Sequence, residues 1–214
     1  MHVNWINPAL AGFLALGCMS LPLSARANDI IAEWDSVKAP PPPAIQKVTP
    51  DVKTTALLVM DFMKPTCTEQ KRPRCVATIP AVKKLLAEAR TKGVTVIYTV
   101  TGTQAVTTDF LTELAPVGSE PVVAARANKF LSPDLDKVLK EKGIKTIIPV
   151  GTVANGAILY TASDAAFRGY DVIVPLDGMS GDSVYSEQFT TWQLVNGPSL
   201  ADRVKLTRTD MVSF

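Results

Sequence analysis

The chain has 214 residues, of which 47% are hydrophobic and 20% are charged. These proportions fit one globular domain with a core of ordinary size. The formal net charge of +2 is spread along the sequence, without a basic run or interleaved basic and aromatic residues. This charge distribution disfavours a nucleic-acid-binding surface. The expected partners are a small-molecule substrate and further copies of the chain.

The N-terminal segment, residues 1–27, has an apolar centre from Ala9 to Leu23, followed by the small-x-small pattern Ala25-Arg26-Ala27. This arrangement predicts a secretory signal that is removed on export across the inner membrane to the periplasm. We expect no membrane attachment after cleavage, because the apolar run is short for a membrane-spanning helix. A retained membrane anchor and lipid attachment at Cys18 stay open as alternatives.

Removal of residues 1–27 takes away His2, the only histidine, and leaves two cysteines, Cys67 and Cys75. Without histidine, Ser-His-Asp and Cys-His catalysis are excluded, and so is a metal site built on imidazole. We expect neither a metal nor a cofactor. Acid–base chemistry would fall to carboxylates and lysines.

Residues 28–51 contain four consecutive prolines, at positions 40–43, and no amphipathic period. They are predicted to form an arm or linker ahead of one domain at residues 52–214. Two interpretations of this segment stay open, a disordered linker and an arm that packs on a neighbouring subunit.

The rest of the chain alternates apolar strands with amphipathic helices. Strands are predicted at residues 54–62, 94–100, 121–124, 144–150, 171–176 and 204–208, and helices at 80–92, 132–142, 155–168 and 186–195. This alternation predicts an α/β fold with a doubly wound, mainly parallel sheet and helices on both faces. In such sheets ligands bind beyond the carboxyl ends of the strands, which directs attention to Asp61 and to residues 151–157.

Asp61 ends the first predicted strand. A carboxylate held there is rigid and partly desolvated, so its pKa can rise toward the range of a general acid, whereas a nearby lysine would lower it. The alternative is a structural role in which Asp61 caps local backbone.

Cys67 and Cys75 follow that strand in the basic, turn-rich segment KPTCTEQKRPRC. In an oxidising compartment the two cysteines are expected to form a disulfide. A reactive thiol beside the site is the alternative.

Four segments carry a family resemblance: ALLVMDF, GSEPVV, KFLSPDLDKVLKEKGIKTIIPVG and GTVANGAILYTASDAAFRGYDVIVPLDGMSG. Together they resemble, in order and spacing, the isochorismatase-like hydrolases over about residues 55–180. The resemblance implies the Rossmann-type, three-layer fold of these cysteine hydrolases, a hydrolytic activity and assembly as a homo-oligomer.

In that family an Asp, a Lys and a Cys form a catalytic triad. The resemblance places the Asp at Asp61 and the Cys position at Ala157, whose methyl group cannot attack a carbonyl. Counting from GSEPVV places the Lys at Ala125. Lys129 is the predicted replacement, with Arg126 as the alternative.

Two further departures from the family pattern bear on the reaction. The usual Gln two residues after the Asp is Met63, and the histidine metal ligands of the nicotinamidase branch are missing. Amide hydrolysis through a thioester is therefore disfavoured. Some isochorismatases work without cysteine, cleaving a vinyl ether by protonation from the Asp and attack of water, and Asp61 alone would support that route.

Two functions stay open. The first is an exported, cysteine-independent hydrolase that acts on a small anionic substrate with Asp61 as general acid or base. The second is a binding or scaffold protein that kept the fold and lost the chemistry. Thr152 and Asn155 are predicted to contact the substrate, although Asn155 also suits a helix N-cap. Tyr185, Phe189 and Trp192 are spaced for one helix face and are interpreted as core or subunit contact.

Overall fold

The computed structural model describes residues 29–102 and 109–214. The predicted signal segment, including Cys18, lies outside these ranges. The compact domain spans Pro42–Phe214, and the described residues before it, 29–41, belong to a separate unit in which Trp34–Ser36 is a short 3-10 helix. The domain thus begins earlier than residue 52, because Val48 is buried and its backbone N–H donates to Met211 O at 3.0 Å.

Within the described residues, seven strands form one sheet. Their bounds are β1 Thr55–Met60, β2 Thr95–Thr101, β3 Val122–Ala125, β4 Thr146–Thr152, β5 Asp171–Pro175, β6 Met179–Ser180 and β7 Val204–Thr207. The order is β3-β2-β1-β4-β5-β7, and β6 pairs with the end of β4. Every one of these pairings is parallel, as the alternating pattern predicts.

Helices cover both faces of the sheet. Their bounds are α1 Pro73–Lys92, α2 Pro133–Glu141, α3 Leu159–Phe167 and α4 Val184–Asn196, with 3-10 helices at Thr112–Leu114, Lys129–Leu131, Leu176–Gly178 and Thr209–Met211. Alternate residues of β1 enter two cores: Leu58 packs in the core that contains α2, α3 and α4 side chains, and Leu57 packs in the core that contains α1. The predicted three-layer α/β fold is confirmed.

The start of α1 differs from the prediction. The helix begins at Pro73, and Pro80 lies inside it. Pro73 occupies the first helical turn, where its missing N–H leaves no helical hydrogen bond unmade. Cys75 and Thr78 are buried, so the first turns pack into the core and offset the cost of an internal proline.

The aromatic residues of α4 do not belong to the core. Tyr185, Phe189 and Trp192 are 69%, 41% and 43% exposed. Burial in the core is therefore wrong for these three side chains, and contact with another subunit stays a prediction.

Candidate active site

β1 and β4 lie side by side at the centre of the sheet, and the chain runs outward from them in opposite directions. The crevice beyond their carboxyl ends is the place where open α/β sheets bind ligands. Met60 of β1 pairs with Gly151 of β4. A β-carbon on Gly151 would stand 2.0 Å from Met60 O, and the φ of Gly151 is 143°, so only glycine allows the strands to meet this closely.

A cavity of about 420 Å³ opens at this crevice. Its lining residues are Asp61, Met63, Pro65, Thr66, Arg72, Thr101, Asp109, Ala127, Thr152, Val153, Gly156 and Ala157. The cavity therefore brings together the end of β1, the end of β2, the end of β4 and the turn before α3.

Asp61 stands immediately after β1 and is 7% exposed. Its backbone is left-handed, with φ 59°, a conformation that Asp tolerates better than most residues. Its N–H donates to Thr99 O at 3.1 Å, and its carbonyl accepts from the N–H of Met63 at 2.9 Å. These backbone bonds hold the carboxylate at the wall of the cavity.

Lys129 lies in the 3-10 helix before α2 and is wholly buried. Its Nζ is 2.8 Å from Asp61 Oδ1 and 2.7 Å from Asp61 Oδ2. Thr101, at the end of β2, donates from Oγ1 to Asp61 Oδ2 at 3.0 Å and accepts from Lys129 Nζ at 3.3 Å. The three side chains form a closed network in which both carboxylate oxygens have a donor.

The segment that carries Lys129 is tied to α3. The backbone N–H of Lys129 donates to Thr161 Oγ1 at 3.1 Å. Asn128 accepts from the N–H of Phe130 and donates to Asp164 Oδ2 at 2.7 Å. These bonds fix the backbone from which the lysine reaches Asp61.

The three candidates for the lysine position differ in what they contact. Ala125 is the last residue of β3, and Arg126 is exposed. Lys129 is the residue that contacts Asp61.

Burial shifts both members of the pair toward their neutral forms. It raises the pKa of Asp61 above the ordinary 3.8, against the lowering effect of the Lys129 ammonium and of hydrogen bonds from Lys129 and Thr101. It also lowers the pKa of Lys129, against the raising effect of Asp61. Asp61 consequently takes up a proton more readily than an exposed aspartate does.

Ala157 lies in a π-helical turn, Ala154–Ile158, that links β4 to α3. It is buried at the cavity wall beside Gly156. The position that the resemblance assigns to the nucleophile therefore faces the cleft but offers only a methyl group.

Of the two residues predicted to contact the substrate, Thr152 lies at the cavity and Asn155 does not. Thr152 lines the cavity and donates from Oγ1 to Ser180 O at 3.5 Å, and the peptide bond that follows it is cis. Asn155 is exposed and does not line the cavity formed by the described residues. Its interpretation as an N-cap is wrong, because Val153 precedes the turn and no described side chain caps it.

Cys67 and Cys75 form a disulfide, and both are buried. This confirms the predicted bond and contradicts the alternative of a reactive thiol. Pro65 and Thr66 of the cavity wall belong to the loop that contains Cys67. The disulfide joins this loop to the first turn of α1.

Arg72, the residue before α1, also lines the cavity and was not predicted. Its Nε lies 3.4 Å from Asp182 Oδ1. The basic character of KPTCTEQKRPRC is the signal in the sequence, but nothing in the pattern distinguishes Arg72 from Lys71 or Arg74.

The described residues also bear on metal binding and on membrane insertion. In residues 29–102 and 109–214, no three His, Cys, Asp or Glu side chains come together as a metal site would require. None of the helices in the same part of the chain has the length and apolar character needed to cross a bilayer.

The isochorismatase domain model matches residues 55–202. The chain belongs to the isochorismatase family of hydrolases. The uncharacterized isochorismatase family protein YaaI of Bacillus subtilis is 28% identical over 89 residues, which cover 41% of this chain and 49% of that protein. The chain thus matches about half the length of this relative.

Solved structures share the fold of this isochorismatase family member. An isochorismatase-like hydrolase from Alkaliphilus metalliredigens has 24% identity and a TM-score of 0.63, over 73% of this chain and 95% of that one. A cysteine hydrolase from Pseudomonas syringae pv. phaseolicola has 22% identity and a TM-score of 0.66, over 78% and 94%.

Proposed function

We propose that this protein is an exported hydrolase that works without a nucleophilic cysteine and acts on a small anionic substrate. Asp61 is the general acid or base, and Lys129 is its charged partner. The observation that carries this proposal is the complete, buried Asp61–Lys129 pair at the wall of an open cavity whose nucleophile position is Ala157. A buried carboxylate with a specific charged partner, placed beside a cleft, is a candidate for a catalytic group.

The chemistry follows from a carboxyl group that can be protonated. Cleavage of a vinyl ether begins with transfer of the Asp61 proton to the terminal vinyl carbon, which leaves an oxocarbenium ion on the substrate. Water adds to the cationic carbon and loses its proton to the Asp61 carboxylate. The resulting hemiketal then breaks its ether C–O bond while its hydroxyl proton passes to the leaving ether oxygen, which gives a ketone and an alcohol.

Lys129 and Thr101 contribute to this cycle through the carboxyl group. The Lys129 ammonium stabilises the carboxylate that remains after proton transfer, and the Thr101 hydroxyl holds one of its oxygens. Because Ala157 cannot form a covalent intermediate, water attacks the substrate directly.

The experiment is an assay of purified protein against vinyl-ether, ester and amide substrates that carry a carboxylate. Turnover is expected to fall by about 10² to 10⁴ in Asp61→Asn, the usual worth of a positioned acid or base. Asp171→Asn is the matched control, because Asp171 is an exposed aspartate at the start of β5, at the end of the strands opposite the cavity. Absence of activity above a no-protein control across the panel would defeat the proposal.

A binding or scaffold function is the second candidate, and Ala157 is the observation that favours it. In that case the cavity holds a ligand but turns over no substrate in wild-type protein or in Asp61→Asn. The Asp61→Asn change then alters only the affinity, because it changes the charge of the cavity.

Export to the periplasm is supported by the Cys67–Cys75 disulfide, since such bonds persist in oxidising compartments and are rare in the cytosol. N-terminal sequencing of the protein from a periplasmic fraction is expected to begin at Asn28. A protein that keeps residues 1–27 would contradict removal of the signal.

A further inference from the structure

The charged side chains that line the candidate active site differ in how firmly they are paired. Asp61 is engaged by Lys129, and Asp109 is a second carboxylate of the lining. Arg72 is the cationic side chain among the described residues that line the cavity. A substrate anion entering this cavity therefore meets one guanidinium group at its wall. How this cavity recognises its anionic substrate rests on the proposed function.

The ion pair that Arg72 makes is loose. Its Nε is 3.4 Å from Asp182 Oδ1, and the Asp182 side chain is 70% exposed. This contact runs through Nε, and the guanidinium carries four further N–H groups on its two terminal nitrogens. Ion pairs of this kind contribute little, because water screens the exposed carboxylate.

Arg74, two residues further on, shows the contrast. Its Nε donates to Glu187 Oε1 at 2.7 Å, and its Nη2 pairs with Glu187 Oε2. Glu187 also accepts from the N–H of Gly181 at 2.9 Å. Arg74 is thus committed to a two-point structural contact between α1 and the start of α4, whereas Arg72 holds its partner at one point.

The backbone at Arg72 is firmly placed. Its N–H donates to Thr68 O at 2.8 Å, and its carbonyl accepts from the N–H of Cys75 at 2.9 Å. Cys75 is in turn bonded to Cys67. Because this backbone is already fixed, binding of an anion by Arg72 orders its side chain but no further main chain.

We propose that Arg72 is the specificity residue that binds a carboxylate of the substrate, and that Asp182 is an internal competitor displaced when the substrate binds. The planar guanidinium fork matches a carboxylate with two parallel hydrogen bonds, a better arrangement than the single contact with Asp182. The substrate class is therefore a small carboxylate, held by Arg72 at one end and presented to Asp61 at the other.

The test measures binding, not turnover, so its outcome is separate from that of the proposed reaction. Malonate is the probe, and neutral malonamide is its uncharged counterpart. Binding is followed by NMR titration at the amide groups of Gly156 and Ala157, which line the cavity. Malonate is expected to shift these resonances in wild-type protein, and malonamide is not.

Three variants give different expected results. Arg72→Gln weakens malonate binding by about tenfold or more, the usual worth of a charge-assisted pair, and Arg72→Lys restores part of the loss. Asp182→Asn tightens binding several-fold, because the competitor is gone. Arg203→Gln is the matched control and is expected to leave malonate binding unchanged. Arg203 forms an exposed ion pair with Asp171 at the end of the strands opposite the cavity.

Equal malonate affinity in wild-type protein and Arg72→Gln would overturn the proposal, and so would wild-type protein that shows no malonate-dependent shift at the cavity. Unchanged or weaker binding in Asp182→Asn would overturn the role of Asp182. A merely structural role for the Arg72–Asp182 pair would make both variants bind less well, which the opposite signs exclude.

Discussion

The Nζ of Lys129 lies 2.8 Å from Oδ1 and 2.7 Å from Oδ2 of Asp61, so one ammonium spans both oxygens of a buried carboxylate. Placing two charges in the interior costs free energy that their attraction only partly returns. The pair is therefore poor evidence for a purely stabilising role. A chemical role explains it better, because a lysine that tunes a carboxylate must stand beside it in a partly desolvated site.

The pH dependence of activity is the first prediction. An Asp61 that acts as an acid must be protonated, so kcat/KM is expected to fall as the pH rises through its raised pKa. Lys129 lowers that pKa, so Lys129→Met raises it further and moves the falling limb to higher pH. The measurement is a kcat/KM profile against pH, with the exposed Lys205→Met as control. A limb that moves to lower pH, or stays in place, would contradict this assignment.

Stability is the second prediction. Asp61→Asn leaves the Lys129 ammonium buried without its carboxylate, and the unfolding free energy at neutral pH is expected to fall by about 3 kcal/mol. Urea unfolding measures this loss. The double variant Asp61→Asn/Lys129→Met is expected to recover part of it, because no unpaired charge then remains. A double variant less stable than Asp61→Asn alone would be inconsistent with this account.

The same variant has a pH signature. Loss of Asp61 removes a group that raises the pKa of Lys129, so burial lowers that pKa further. Between the lowered pKa of folded Lys129 and the ordinary pKa of the unfolded chain, the unfolded chain binds a proton that the folded protein does not. The unfolding free energy therefore rises with pH over this range. The difference in unfolding free energy between wild-type protein and Asp61→Asn is therefore expected to become smaller as the pH approaches 10.5, the ordinary pKa of lysine.

The disulfide supplies the third prediction. Cys67 and Cys75 close a short loop, and their bond is expected to contribute about 2 to 4 kcal/mol to stability. Thermal unfolding with and without reductant measures the effect, and the Cys67→Ser/Cys75→Ser variant, which has no bond to reduce, is the control. Alkylation of either cysteine in native, unreduced protein, detected by mass spectrometry, would refute the bond.

The sequence predicts the sheet well, because buried parallel strands read as continuous apolar runs. β1 and β4 stand out for this reason, and Asp61 follows from the end of β1. Helix starts are harder to predict. Pro80 resembles a first-turn proline, but burial of Cys75 and Thr78 extends α1 back to Pro73.

The site is less predictable than the sheet because it is assembled from loops. Lys129 reaches Asp61 through hydrogen bonds between residues far apart in the chain, such as that of its N–H to Thr161. Thr101 and Arg72 carry no local signal, since strand-end threonines and loop arginines are common on protein surfaces. Their place in the cavity depends on which strands are neighbours.

Assembly is the last prediction. Tyr185, Phe189 and Trp192 are exposed along one face of α4 at positions i, i+4 and i+7, a stripe of three aromatic rings next to water. Such a surface is expected to be covered by a second copy of the chain.

Trp192→Glu places a charge in the stripe and should weaken association by about 2 kcal/mol or more, the usual loss at a central aromatic contact. Light scattering after size-exclusion chromatography measures the mass of both proteins over a range of concentrations. Val117→Glu, at an exposed apolar residue in a loop, is the matched control and should leave the mass unchanged. A wild-type protein that is monomeric at every concentration, or a Trp192→Glu variant with the wild-type mass, would show that this face is not the subunit contact.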